Sequence, residues 1–118
     1  MAVRVFPWMP PGITITVRLI DPATVPAPPG KRVGDLVFRL EARGAGGETL
    51  SALPAEVNLS ATYADQDVVG LNEASVTLFW LDPTTNRWTP APKLATDPST
   101  NYVSASVTAL GTYAVSIP

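Results

Sequence analysis

A chain of 118 residues without a histidine or a cysteine lacks the commonest general base, the thiol nucleophile and the usual ligands of zinc, copper and haem. Eight lysines and arginines against ten aspartates and glutamates leave a net charge of -2, so no basic field draws in nucleic acid. Hydrophobic residues at 46% exclude disorder throughout, and no apolar stretch approaches the ~20 residues of a membrane helix, so no membrane insertion is expected.

In chain order, short strands alternate with proline- and glycine-marked turns. Ala2–Phe6 reads as a strand closed by Pro7-Trp8-Met9-Pro10-Pro11-Gly12, whose prolines forbid regular pairing. Ile13–Ile20 alternates, with Ile13, Ile15, Val17 and Leu19 on one face and Thr14, Thr16 and Arg18 on the other. Asp21–Lys31, with Pro22, Pro26, Pro28, Pro29 and Gly30, is an extended connection between strands; what precedes it is too short to be a separate domain. Asp35–Ala42 places Leu36, Phe38 and Leu40 inward and Val37, Arg39 and Glu41 outward. Gly44-Ala45-Gly46-Gly47 makes the turn, and Glu48–Ser51 returns from it as a short strand.

Ala55–Tyr63 sets Val57, Leu59, Ala61 and Tyr63 against Glu56, Asn58, Ser60 and Thr62. The polar, acidic Ala64–Ala74 breaks the period and reads as a loop, with room for one helical turn, that crosses between sheets. Val76–Leu81 and Arg87–Thr89 form a hairpin around Asp82–Asn86. Asn101–Thr108 and Thr112–Ile117 are the last strands, parted by Ala109-Leu110-Gly111. The expected fold is all-β: an antiparallel β-sandwich of eight or nine short strands, with a closed barrel as the lesser option. It forms a single domain over residues 1–118, of which 1–12 is an apolar, proline-rich N-terminal segment.

Two groups of residues are candidates for binding. If the hairpin closes symmetrically on Asp82–Asn86, Trp80 faces Trp88, and two outward indoles would make a platform for a sugar ring. Trp80 is in phase with Val76 and Leu78, which favours the core instead. Phe6, Trp8 and Met9 sit where prolines keep the chain out of a ladder. They either cap the end of the sandwich or form an interface with a neighbouring domain or subunit. Asp65, Asp67 and Glu73 could hold calcium but lack the glycine and ligand spacing of a dedicated loop, so solvated turn carboxylates are favoured and no metal or cofactor is expected. Asn58-Leu59-Ser60 fits a glycosylation pattern but lies mid-strand, and no pair of carboxylates suggests a catalytic site.

Across Pro54–Val115 runs a further pattern. A Pro-led strand ends in Tyr63-x-Asp65; Leu71, Glu73 and Ser75 follow, then Leu78, Phe79 and Trp80, then Trp88, and then Asp97, Asn101 and Val103. The chain closes on Val107-Thr108 and Thr112-Tyr113-Ala114-Val115. This resembles the β-sandwich modules of ZU5/UPA type near the C-termini of bacterial multidomain surface and secreted proteins, over a little more than half the chain. Some members of that group cut their own backbone at a His-Phe-Ser tripeptide. Here Ala109, Leu110 and Gly111 stand in its place, so base, aromatic and nucleophile are all missing, and Thr112 has no activating partner.

The resemblance implies a scaffold. With few charges, many Thr, Ser, Ala and Val, and 13 prolines, it points to a non-enzymatic structural or adhesive module of a bacterial extracellular or surface protein. Its partners would be the neighbouring domains or subunits of that assembly. A carbohydrate-binding module, with polysaccharide as partner, and a degenerate self-processing domain are the alternatives. The first residues show no signal peptide, as in a module cut from a longer secreted chain with Met1 as an added start.

Overall fold

The computed structural model describes residues 2–6, 12–28, 30–97 and 101–117. Nine strands occur among them: β1 (Ala2–Phe6), β2 (Thr14–Leu19), β3 (Lys31–Arg43), β4 (Ala52–Thr62), β5 (Thr77–Asp82), β6 (Arg87–Pro90), β7 (Lys93–Asp97), β8 (Tyr102–Ala109) and β9 (Gly111–Ile117). They pair antiparallel in two sheets, ordered β1-β4-β8-β7 and β2-β3-β9-β5-β6. The fold is the all-β sandwich that the alternation predicts. Only β2–β3, β5–β6 and β7–β8 are consecutive neighbours within a sheet; the other connections cross from one sheet to the other.

The core lies between the sheets, where the period-two faces meet. On the four-stranded sheet Val57 faces Val107, Leu59 faces Ala105 and Ala61 faces Val103, all buried. On the five-stranded sheet Phe38 lies opposite Tyr113 with the rings stacked, centroids 5.6 Å apart and planes 11° from parallel. Trp80 sits on the other side of Tyr113 and packs half-buried against the same core. An aromatic row therefore crosses β3, β9 and β5, each ring contributing area and shape to the interior.

Part of the outer face of the five-stranded sheet is also buried. Val37, Ala114 and Phe79 are directly opposite one another across β3, β9 and β5, and none exposes more than 4% of its surface. The proline-rich connection runs over this face. It leaves β2 with the Ile20 N–H bonded to the Val37 carbonyl at 3.0 Å. A 3-10 turn, Pro22–Thr24, follows, capped by the Asp21 side chain, which accepts from the Ala23 N–H. The connection reaches β6, where the Trp88 indole donates to the Pro26 carbonyl at 3.0 Å, and Pro28 is buried on the way back to β3. Val37 thus points outward, as its phase requires, and is covered all the same.

Several elements depart from the sequence reading. β3 starts at Lys31 and β4 at Ala52, each with a register irregularity, between Arg32 and Val37 and between Ala52 and Val57. Pro54 falls inside the second, where a missing ladder donor is tolerated. Glu48–Ser51 is not a strand but a single bridge, Thr49 to Arg43, beyond a tight turn in which the Gly44 N–H bonds the Glu48 carbonyl. β7 was not expected at all, because Pro90, Pro92 and Pro98 disguise it as a loop.

Candidate functional site

The hairpin of β5 and β6 decides where the tryptophans go. Its register sets Trp80 opposite Thr89, Leu81 opposite Trp88 and Asp82 opposite Arg87, so the expected Trp80–Trp88 pair does not form. The turn has four residues, Pro83–Asn86, rather than five. Asp82 closes it by accepting from the Asn86 N–H through its carbonyl and from the Thr84 N–H through its side chain, both at 2.8 Å. Asn86 supplies the left-handed backbone, φ 55°, that this closure needs. One residue of register moves a side chain to the other face. Trp80 therefore points into the sandwich and Trp88 onto the strapped outer face.

Each indole holds a connection. Trp80 Nε1 donates to the Leu110 carbonyl at 3.1 Å, and the Tyr113 hydroxyl donates to the Ala109 carbonyl at 2.6 Å. Both bonds fasten the corner at which the chain leaves β8 in one sheet and enters β9 in the other. Gly111 takes φ 120° there, and a Cβ on it would touch the Trp80 indole nitrogen at 3.5 Å. A tyrosine hydroxyl reaching back four residues is a corner device of immunoglobulin-type sandwiches. Burial pushes the Tyr113 phenol well above the ordinary tyrosine value, so it stays a donor. Ala109-Leu110-Gly111 is thus a crossover held by two aromatic side chains, with Thr112 buried behind it.

Two depressions flank this corner. One, of about 180 Å³, opens between the sheets and is lined by Trp80, Tyr113, Pro90, Pro92, Ser106 and Glu56 among others; Ser106 donates to the Glu56 carboxylate at 3.0 Å. The other, of about 300 Å³, lies on the outer side, between Arg39 and Glu41 of β3, Gly111 and Thr112 of β9, and Leu81 and Pro83 of the hairpin. Beside it is a charged cluster. Arg18 faces Arg39 directly across β2 and β3, and Glu41 lies between them, with its Oε1 3.1 Å from Arg18 and 4.0 Å from Arg39. Arg43 turns to the Gly47 carbonyl. The outward phase of Arg18, Arg39 and Glu41 was visible in the sequence; their meeting depends on a β2–β3 register that alternation does not specify.

The aspartates of the acidic loop are engaged: on the 3-10 turn Asp65–Asp67, Asp67 accepts from the Ala64 N–H at 3.1 Å and Asp65 from the side chain of Asn101, before β8, at 2.6 Å. Among the described residues no three acidic groups gather into a cation cage. Asn58 is exposed in the middle of β4. Of the expected interface residues, Phe6 ends β1, its backbone opposite Asn58; Trp8 and Met9 lie outside the described residues.

No protein-family model, curated protein or solved structure matches the chain.

Proposed function

We propose that this chain is a non-enzymatic structural or adhesive module of a bacterial extracellular or surface protein, working in assembly or spacing. The observation that supports this reading best is the use of its aromatic donors. Trp80, Trp88 and Tyr113, the groups best suited to meet a ligand, each bind a backbone carbonyl of a connection and hold the sandwich shut. The extracellular and bacterial setting rests on the composition and on the resemblance carried by Pro54–Val115.

A carbohydrate-binding reading has one observation in its favour, the cleft beside Trp80 and Tyr113. At about 180 Å³ it falls short of the roughly 300–1,000 Å³ of ligand pockets. Sedimentation equilibrium tests the assembly reading, which requires an average mass that rises with concentration and a Trp8→Ser variant that associates more weakly. A constant monomer mass, with retention on a polysaccharide column that Glu56→Ala at the cleft abolishes, overturns it in favour of the carbohydrate reading.

A further inference from the structure

We propose that β2 is a self-association edge through which two copies of this chain pair antiparallel, across a two-fold axis at Val17. The inference rests on the assembly reading above and names the surface for it. β2 pairs with β3 over Thr14–Leu19 without a bulge, and among the described residues no strand pairs with its other edge. Successive residues of an antiparallel strand turn their N–H and C=O to alternate sides. Because Ile20 bonds toward β3, Thr14, Thr16 and Arg18 do the same, while Ile15, Val17 and Leu19 direct theirs to the open edge.

The other three edges are blunted in the ways sheets usually avoid such pairing. β6 has four residues and ends on Pro90, β7 carries a register shift between Lys93 and Ala95, and β1 is followed at once by Pro7. β2 has six residues, no proline and a single charge. Its last residue, Leu19, is 68% exposed, one of only two large apolar side chains so exposed among the described residues.

Self-pairing must match residues of one face with one another, which limits the registers. With the axis at Val17, Val17 meets its own copy, Ile15 meets Leu19 of the second copy, and Thr16 meets Arg18. Ile15, Val17 and Leu19, whose backbone groups point to the open edge, then exchange both of them with strand residues, and Leu19 is covered by an apolar neighbour. An axis at Arg18 would oppose two guanidiniums beside the existing Arg18–Arg39 contact. An axis at Thr16 would set Leu19 against Ile13, which lies outside the strand. The result is an isologous dimer whose five-stranded sheets join into one.

The experiment combines sedimentation equilibrium with cross-linking in a chain that has no cysteine of its own. Wild type dimerises with rising concentration. Leu19→Lys loses the dimer while keeping the melting temperature of dilute wild type, since the position is solvent-exposed. A mixture of T16C and R18C proteins, mildly oxidised, gives a covalent heterodimer that neither protein gives alone. A dimer that survives Leu19→Lys, fails to cross-link and dissociates with Trp8→Ser overturns the edge and leaves the assembly reading standing. A wild type that stays monomeric overturns both.

Discussion

The outer faces of the two sheets start from the same period-two pattern and finish differently. On the four-stranded sheet, β4 and β8 present Asn58, Ser60, Thr62, Ser106 and Thr108, exposed or half-exposed, around a small buried Ser104. On the five-stranded sheet the corresponding rows contain Val37, Phe79 and Ala114, and a proline-rich strap runs over them. Small polar side chains need no cover, whereas leaving that apolar row in water would cost on the order of 25 cal/mol per Å². The connection between two adjacent strands has become a third layer over that row, while the four-stranded sheet has water on its far side and the five-stranded sheet meets water only beyond the strap, at Arg18, Arg39 and Glu41.

The sharpest break in that comparison comes from matched truncations. Phe79→Ala is expected to destabilise by about 3–5 kcal/mol, as for a core phenylalanine, although it points away from the main core. Asn58→Ala, on the other outer face, is expected to stay within about 0.5 kcal/mol of wild type. Urea denaturation of the two variants checks this, and equal effects would mean that the strap covers nothing.

A smaller effect concerns the corner that both sheets share. Tyr113→Phe leaves the Ala109 carbonyl without its 2.6 Å donor and is expected to cost about 1–2 kcal/mol. It also changes the alkaline limb of stability. The folded chain holds the Tyr113 proton more tightly than the unfolded chain does, because burial raises its pKa. That stabilisation is complete below the unfolded value of about 10 and is lost as pH rises toward the folded one. Thermal melts between roughly pH 9 and 11 should therefore fall less steeply for Tyr113→Phe than for wild type. The least effect is expected from Glu41→Gln. Its ion pair with Arg18 leaves 39% and 62% of the two side chains exposed and is screened, so the change in stability should be at most about 0.5 kcal/mol.

How much of this was legible follows from the range of each interaction. Alternation over Ile13–Ile20, Asp35–Ala42 and Ala55–Tyr63 locates strands and their inward sides because burial acts residue by residue. The hairpin register was not legible. Asp82–Asn86 can be closed around four residues or five, and the choice lies with Asn86 in the left-handed region and the Asp82 side chain. β7 was hidden by its flanking prolines. The partner of Trp88 lies 62 residues away in a segment whose composition says only that it is extended. A candidate sugar platform therefore became, in the structure, a corner clamp and a strap anchor.

The claim beneath both the fold and the proposed function is that these aromatic donors are engaged in holding connections, and Trp88 is its most exposed instance. Hydrogen exchange at the Trp88 indole N–H, followed by NMR, tests it directly. The account predicts exchange slowed relative to a free indole and, in Trp88→Phe, a loss of about 1 kcal/mol together with faster exchange at the Phe79 and Ala114 amides. Exchange at the free-indole rate, with Trp88→Phe as stable as wild type, would contradict it and return Trp88 to the surface as a platform for a ligand.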